Sequence, residues 1–310
     1  MKLFVRKLCI FSAIILISCS ALDWWYSKAL VNSHVRKYEA WYDLMHGKID
    51  ADIIICGSSR AWVHICPRIL DSVLNTSTYN LGIDGSQITR QIRKYRLFRR
   101  YNVRPSLIIQ NIDAYTIDKG NSYEREQFFP YFWNYDLRKE FCESESISFP
   151  EKYIPLFRYD FTLDFTPLEK KSKYLDRGYK GMDRIWNGKN YNEIDSITFS
   201  YDKIAFEEFD EFLQEVINDG VKIVFVYAPV FIGATRKMTN LNEMYLFYQK
   251  IADKYHIPIL DYTYMDICSD TTYFYNAMHL NMHGAEIFSD SLAHDLQSLM
   301  SLNGKMVLRK

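Results

Sequence analysis

Five short runs of apolar and β-branched residues alternate along the chain with segments whose apolar residues recur at helical spacing. This alternation constrains the fold most, because it favours a mostly parallel sheet with helices on both faces. We therefore predict an α/β protein with a doubly wound, five-stranded, flavodoxin-like sheet in a three-layer sandwich. The predicted strands are Asp52–Cys56, Thr78–Leu81, Leu107–Ile112, Val221–Tyr227 and Ile257–Leu260. The predicted helices are Pro67–Leu74, Ser86–Tyr101, Ile204–Asn218, Leu241–Tyr255 and Asn281–Met300.

The alternation stops between about residues 113 and 200. This is too long for a plain connection, so we interpret it as an insertion with short elements of its own. It is rich in aromatic residues, as in the run Phe-Phe-Pro-Tyr-Phe-Trp-Asn-Tyr at 128–135. These side chains form either a separate small core, which is the favoured interpretation, or an aromatic wall over a binding cleft.

The N-terminus has the features of a membrane segment. Three basic residues precede an apolar run at 8–22, and aromatic residues follow at 24–26. This pattern is typical of a signal peptide or an uncleaved anchor. We favour an anchor within residues 1–26, because the helical apolar pattern continues beyond the run. The alternatives are a lipobox that would make Cys19 a lipidated first residue, and a buried core helix.

The rest of the chain is predicted to lie outside the cytoplasmic membrane. Residues 27–50 keep a helical apolar pattern and predict a helical stalk, and residues 51–310 then form the α/β domain. An anchor and a lipidated Cys19 both imply this placement. The predicted localisation is therefore the inner membrane, spanned once, with the domain in the periplasm or outside.

Charge balance and cysteine spacing exclude several classes of function. Lys plus Arg and Asp plus Glu each number 38, so the formal net charge is zero and nucleic acid is not an expected partner. The six cysteines include no Cys-x-x-Cys pair. His279 and His283 have the spacing of helical zinc ligands, but no third ligand is evident, so neither a metal nor a cofactor is predicted. A solvated face, or alternatively a local anionic contact, is predicted for Arg90, Arg93, Lys94, Arg96, Arg99 and Arg100.

Candidate residues for acyl transfer follow four of the predicted strands. The reaction needs a hydroxyl, a base within reach, a group that orients the base, and donors for the oxyanion. Parallel strands end at one edge of a sheet, so these residues are expected to meet there. Alternatively, the serine is only a turn residue and the histidine only a hydrogen-bonding residue near the last helix. The candidates are Ser59, then Gly82 and Gly85, then Asn111 and Asp113, and finally His279.

In these stretches the sequence resembles the SGNH/GDSL hydrolases. Their first block is a strand leading to Gly-Asp-Ser; here it reads Gly-Ser-Ser, and Ser59 matches the nucleophile. Their second block supplies an oxyanion-hole glycine, best matched by Gly85. Their last block, Asp-x-x-His, reads Asn276-Ala-Met-His279, so His279 matches the base. The resemblance covers residues 50–112 and 202–300.

Two positions depart from the family pattern. Asn276 stands where the family has an aspartate; an amide still accepts a hydrogen bond from histidine, but brings no charge to stabilise the imidazolium. The family's third block, Gly-x-Asn-Asp, is not visible after the third strand. Asn111 is the candidate donor there, whereas Asp113 would be a poor one. The predicted oxyanion hole consists of the backbone amides of Ser59 and Gly85 together with Asn111.

The resemblance implies a serine-dependent acyl ester hydrolase or O-acetyltransferase. The anchor, the aromatic insertion and the habits of the family direct this expectation to small acyl esters, and above all to acylated cell-envelope or exported polysaccharide. The alternative is a catalytically degenerate protein that keeps the fold and binds glycan or envelope-assembly proteins. His64 is a rival base by position, but is predicted to face solvent.

Overall fold

The computed structural model describes residues 1–32, 36–118, 125–141, 147–160, 175–189 and 196–302. The chain divides into two units. The first comprises Met1–Met45 with Glu124–Lys173, and the second His46–Tyr123 with Tyr174–Lys310. Parts of the predicted insertion thus fall in each unit, and Cys142 lies outside the described residues.

The helices and strands follow in chain order. The helices are α1 (Lys2–Val31), α2 (Arg36–Met45), α3 (Ser59–His64), α4 (Pro67–Leu74), α5 (Ile88–Tyr101), α6 (Tyr135–Phe141), α7 (Phe149–Tyr153), α8 (Lys203–Asn218), α9 (Ile232–Thr235), α10 (Leu241–Tyr255) and α11 (Met282–Leu302). The strands are β1 (Ile53–Cys56), β2 (Thr78–Asn80), β3 (Leu107–Asn111), β4 (Leu175–Asp176), β5 (Tyr179–Lys180), β6 (Lys222–Tyr227), β7 (Ile259–Asp261), β8 (Phe274–Asn276) and β9 (His279–Leu280). Short 3-10 turns occur at Arg125–Gln127, Phe129–Tyr131, Phe157–Tyr159, Asp266–Ser269 and Thr271–Tyr273.

The second unit is built on a five-stranded sheet of order β2-β1-β3-β6-β7, in which every neighbouring pair is parallel. This confirms the predicted doubly wound α/β class and all five predicted strands. The chain order reverses beside β1, and ligands bind at such a switch point in open α/β sheets. Strands β1 and β3 are buried along their whole length, as expected for continuous apolar runs covered on both faces.

Helices cover both faces of this sheet. On one face, Leu70 of α4 and Leu292 of α11 belong to the same buried cluster as Ile55 and Ile109 of the central strands. On the other face, aromatic rings of α8 pack on the sheet, with the Phe209 and Phe225 centroids 5.9 Å apart. Each such fully buried side chain contributes about 1.5–3 kcal/mol to folding.

Helix α5 packs on α8 partly through ion pairs, so the alternative interpretation, a local anionic contact, holds for Arg93, Arg96 and Arg99. The predicted solvated face holds for Arg100, which is exposed, and is wrong for the buried Arg90 and Lys94. The sequence could not show that α8 presents acidic residues to this face. These pairs are partly exposed, and each contributes at most about 1 kcal/mol. They are Arg93–Glu208, Arg96–Glu215 and Arg99–Asp219, while Arg90 and Lys94 are buried.

The first unit has its own aromatic core. Trp41 of α2 is fully buried; its ring contacts Phe128 and Phe141, and its Nε1 donates to Gln127 Oε1 at 3.1 Å. The insertion aromatics therefore form a small core, as favoured. The predicted stalk over residues 27–50 is helical at 27–31 and 36–45, and its apolar residues Tyr38, Trp41 and Leu44 are buried.

Helix α1 is long and apolar enough to cross a membrane, and none of its most apolar stretch is buried. The predicted apolar segment at the N-terminus is thus one continuous helix, which includes Cys19 and passes the expected boundary at residue 26. Such a helix is compatible with an anchor or a signal sequence. The membrane type, the orientation and the lipidation of Cys19 stay predictions.

Candidate active site

A glycine turn places Ser59 at the end of β1. Gly57 has φ +152°, and a Cβ there would lie 2.5 Å from Ala61 Cβ and 2.8 Å from Asn111 Cβ. Only glycine allows the chain to turn from strand to helix so closely against β3. Helix α3 therefore starts at Ser59, at the carboxyl edge of the sheet.

Ser59, His279 and Asn276 form a continuous chain of hydrogen bonds. Ser59 Oγ lies 2.7 Å from His279 Nε2, and His279 Nδ1 lies 3.0 Å from Asn276 Oδ1. The backbone N–H of Met278 also donates to Asn276 Oδ1, at 2.9 Å. Because that donor needs an oxygen, it fixes the orientation of the amide, and His279 Nδ1 must then carry the proton. Nε2 is left as the acceptor for the serine hydroxyl.

A short hairpin and a helix cap hold His279 in this position. Strands β8 and β9 pair across Asn276 and His279. Asn281 caps α11 by accepting the Gly284 N–H at 3.0 Å and donates to Thr272 O at 2.7 Å. The predicted start of the last helix at Asn281 is thus borne out to within one residue. The ring of Tyr275 stacks on that of His279, with centroids 5.3 Å apart.

His64 is fully buried, so the expectation that it faces solvent is wrong. Its Nε2 accepts the backbone N–H of Leu280 at 3.1 Å, and its ring lies edge-on to His279 at 5.9 Å. Burial, followed by the charges of His279 and Arg60, holds the pKa of His64 well below its usual value. His64 is therefore a neutral acceptor that ties α3 to β9, and not a second base.

Burial also governs His279. It lowers the pKa of His279 to about 3, and the positive charge of Arg60 acts in the same direction. Asn276 supplies no negative charge to oppose either effect. His279 is consequently neutral at pH 7, the form that accepts a proton, although a base with so low a pKa is a weak one.

The residues at the end of β2 place Gly85 beside the site and hydrogen-bond to helix α3. Gly85 has φ +59° and lines the cavity beside Ser59. The fully buried Asn80 donates to Ala61 O and Ile65 O at 2.7 and 2.9 Å. Its Oδ1 accepts the Gly82 N–H at 2.8 Å, so Gly82 is not free to bind an oxyanion.

Asn111 does not reach the cavity. It is fully buried, and its Nδ2 donates to Val226 O on the neighbouring strand at 3.0 Å. The predicted contribution of Asn111 to an oxyanion hole is therefore not supported, because its side chain serves the sheet. Of the candidates at the end of β3, it is Asp113 that lines the cavity.

Arg60 and Asp113 form a buried ion pair that the sequence did not indicate. Arg60 Nη2 lies 2.9 Å from Asp113 Oδ2, and both side chains are at least 95% buried. Ser58 Oγ donates to the same oxygen at 3.1 Å, and the Arg60 guanidinium lies over the Tyr227 ring at 5.0 Å. The one feature of the sequence that could have indicated a role for Arg60 is its position directly after Ser59.

These residues surround a cavity of about 470 Å³. Most of the residues that line it are polar or charged, but most of its exposed wall surface is apolar; Met278 is the one aliphatic side chain among the described lining residues. Within the described ranges, no group of three or more His, Cys, Asp or Glu is placed to hold a metal. The lining residues are Ser58, Ser59, Arg60, Gly85, Ser86, Gln87, Asp113, Tyr115, Asp118, Met278 and His279.

The order of these elements is the SGNH/GDSL-like arrangement that the sequence resemblance implies. Ser59 follows β1, Gly85 follows β2, and His279 precedes the last helix. The five strands of the sheet are parallel and covered on both faces, as such a fold requires.

Comparisons with known proteins add fold neighbours only. No protein-family model and no curated protein matches the chain. A candidate acylhydrolase from Bacteroides fragilis is 11% identical with a TM-score of 0.41, covering 80% of this chain and 87% of its own. A candidate lipolytic protein of the G-D-S-L family from Desulfitobacterium hafniense is 10% identical with a TM-score of 0.40, covering 79% and 99%. A GDSL-like lipase from Bacteroides thetaiotaomicron is 8% identical with a TM-score of 0.40, covering 83% and 98%. Likeness at this level does not bear on the reaction.

Proposed function

We propose that the protein is a serine-dependent acyl ester hydrolase or O-acyltransferase. The observation that carries the proposal is the 2.7 Å contact between Ser59 Oγ and His279 Nε2, with the opposite ring nitrogen held by Asn276. A nucleophile, a base and an orienting group in hydrogen-bond contact are the arrangement that acyl transfer requires.

The proposed reaction has two steps. Ser59 Oγ attacks the acyl carbonyl while its proton passes to His279 Nε2, and the backbone N–H groups of Ser59 and Gly85 bind the oxyanion. Collapse of the tetrahedral intermediate breaks the ester bond, and the leaving alcohol takes the proton from His279. Water or an acceptor hydroxyl then attacks the acyl-serine and gives its proton to His279 Nε2. The bond between the acyl carbon and Ser59 Oγ breaks, and Ser59 Oγ takes the proton back from His279, which releases the acid or the transferred ester.

Acetyl groups on cell-envelope or exported polysaccharide are the proposed substrate. The proposal is supported by the polar and charged residues among the cavity lining, which can hydrogen-bond a sugar, and by the presence of a single aliphatic side chain, Met278, among the described lining residues. The apolar helix α1 supports a membrane-anchored protein with its site outside the cytoplasm. Esters of para-nitrophenol with acetyl and octanoyl groups test the acyl preference: faster turnover of the octanoyl ester would overturn the acetyl assignment.

Labelling with a fluorophosphonate tests the catalytic serine. We expect the folded protein to be labelled and the Ser59→Ala variant to be unlabelled. Ser58→Ala is the matched control, because Ser58 Oγ bonds to Asp113 and not to the histidine; it should still be labelled. Labelling that persists in Ser59→Ala, or that is absent from the folded wild type, would refute the proposed role of Ser59.

A catalytically degenerate glycan-binding or assembly protein is the second candidate. It is favoured by the uncharged Asn276 and by the low pKa of His279, which together weaken the base. This candidate predicts that the wild type binds polysaccharide without fluorophosphonate labelling and without release of acetate. Fluorophosphonate labelling and the release of acetate therefore distinguish the two candidate functions.

A further inference from the structure

Helix α1 leads from an exposed apolar segment directly into the core of the first unit. From Leu8 to Leu22 its large apolar side chains are exposed, and at 1.5 Å per residue this run is about 22 Å long, so interfacial residues beyond it are needed to cover a bilayer core of about 30 Å. From Asp23 onward one face of the same helix is buried. The point where exposure ends on that face marks the level of a membrane surface if α1 spans a bilayer.

Asp23 of α1, where this burial begins, bonds to Trp133, Leu156 and Arg158. It is fully buried and pairs with Arg158 Nη2 through Oδ1. Its Oδ2 accepts the Leu156 N–H at 2.7 Å, and its Oδ1 accepts Trp133 Nε1–H at 3.2 Å. Such a buried carboxylate fixes the geometry of these three groups, because each of them would lose this acceptor if it moved away from Asp23. Two stretches that are more than 100 residues away in sequence are therefore held beside the end of the apolar segment.

The same stretches expose an unusual number of apolar and aromatic side chains. Trp133 is 54% exposed although its indole nitrogen is bonded to Asp23, and the rings of Phe149 and Tyr153 contact each other at 4.8 Å while remaining exposed. Lys28 and Lys139 are exposed basic residues of the same unit. We call the following set the aromatic rim: Trp24, Trp25, Trp133, Tyr135, Phe149, Tyr153 and Ile154.

We propose that the aromatic rim beyond α1 lies in the headgroup region of the bilayer that α1 spans, so that the first unit rests on the lipid surface. Trp and Tyr are the residues that favour this region, and a ring contact such as Phe149–Tyr153 places apolar area where lipid can cover it. Exposed lysines suit the anionic lipids of such a surface. The proposal rests on membrane anchoring by α1, and it adds a second membrane contact supplied by the rim residues at 133–135 and 149–154.

Lipid-quenching measurements on the full chain in nanodiscs test this contact. The nanodiscs contain phosphatidylcholine and phosphatidylglycerol, either alone or with lipid that carries a doxyl group near the headgroup or in the middle of an acyl chain. An environment-sensitive NBD probe is attached to the cysteine introduced by Phe149→Cys or Tyr153→Cys. In this background Cys9, Cys19 and Cys142 are replaced by alanine, and the buried Cys56, Cys66 and Cys268 are kept. Matched controls are Ile14→Cys, in the middle of the exposed apolar part of α1, and Asn32→Cys, an exposed position that lies about 15 Å beyond Leu22 along the axis of α1.

We expect doxyl lipid to reduce fluorescence at positions 149 and 153 by about twofold or more, because groups in the interface lie within 5–10 Å of the headgroup boundary. Mid-chain doxyl lipid should quench position 14, and position 32 should be little affected by either doxyl lipid. Quenching at 14 without quenching at 149 and 153, or equal quenching at 32, would overturn the proposal while leaving the anchor intact. No quenching at 14 by mid-chain doxyl lipid would overturn the anchor and the rim together. Fluorophosphonate labelling of the same samples reports on Ser59 separately, so failure of the membrane contact and failure of the proposed reaction are distinguishable.

Discussion

Replacing Asn276 by aspartate adds one negative charge to the site with little change of shape. The new carboxylate keeps both bonds that Asn276 Oδ1 accepts, from His279 Nδ1 at 3.0 Å and from the Met278 N–H at 2.9 Å. At a charge separation of about 4–5 Å and an effective dielectric constant near 20, the attraction to an imidazolium is about 3–4 kcal/mol. This corresponds to roughly 2–3 pKa units. We therefore expect Asn276→Asp to raise the pKa of His279 from about 3 to about 5–6.

The expected result is a stronger base and a visible acid limb in the pH profile. A base whose pKa lies nearer the working pH accepts the serine proton more readily, so kcat/KM at pH 7 should rise by about 10- to 100-fold. The gain is smaller than the factor of about 10⁴ for the reverse change in serine proteases, where the tautomer is also lost. Here Met278 already fixes the tautomer. Ester turnover across the pH range and NMR titration of the His279 ring measure the two effects independently.

Asn276→Ala is the matched control, since it removes the orienting oxygen without adding charge. It should lower kcat/KM and leave no acid limb near pH 5–6. A His279 pKa that does not move in Asn276→Asp would refute the electrostatic account, whatever happens to the rate. A pKa that rises without any gain in turnover would instead show that the base does not limit the reaction.

Three further predictions concern stability. Asn80→Ala removes three buried hydrogen bonds and should lower the free energy of unfolding by about 2–4 kcal/mol in urea titrations; an unchanged midpoint would refute the role assigned to Asn80. Asp113→Asn leaves the Arg60 charge buried and unpaired and should cost about 3–5 kcal/mol, most of it recovered in the double variant with Arg60→Met; additive losses would contradict the pairing. The pKa of His279 in the folded protein lies below its unfolded value of 6.5, so its contribution to the free energy of unfolding is complete above pH 6.5. That contribution is lost by about 1.4 kcal/mol per pH unit as the pH falls toward 3. His279→Gln should therefore reduce the dependence of the free energy of unfolding on pH in this range, and an equal dependence would exclude this account.

The sheet and the meeting of Ser59 with His279 were predictable, because the strands have local signals in the sequence and their order places both residues at one edge. Strands β1 and β3 are continuous apolar runs, and only a fully buried parallel strand suits such a run. Ser59 and His279 each follow a strand, and parallel strands end at the same edge. Their meeting across 220 residues therefore follows from topology, without knowledge of any side-chain contact.

The partners of Arg60 and His64 were not predictable in this way. An arginine next to a serine and a histidine near a proline are ordinary surface patterns, and the expectation for His64 followed that rule. Burial reverses it: Asp113 compensates Arg60, and the Leu280 N–H occupies His64 Nε2. Each partner lies on a different element, so sequence spacing carries no trace of the pairing.

The small aromatic core illustrates the same limit at a larger scale. The sequence shows that residues 128–135 are aromatic and that α2 has an apolar stripe, but either feature alone fits several structures. What joins them is the packing of Trp41 against Phe128, 87 positions further along the chain. Long-range packing of this kind decides which of several locally acceptable interpretations is the folded one.

The charges around His279 differ from those of a site in which a carboxylate bonds to the histidine, because Asn276 occupies that position here. Two carboxylates, Asp113 and Asp118, line the cavity. Asp113 is already bound to Arg60 and Ser58, so the Arg60–Asp113 pair brings no net negative charge to an imidazolium. Burial lowers the pKa of His279 most, and the positive charge of Arg60 lowers it further. In the proposed reaction the developing oxyanion would bring new negative charge beside Arg60 and the protonated His279. Stabilisation would then be concentrated in the tetrahedral intermediate and not in the resting pair, as transition-state complementarity requires.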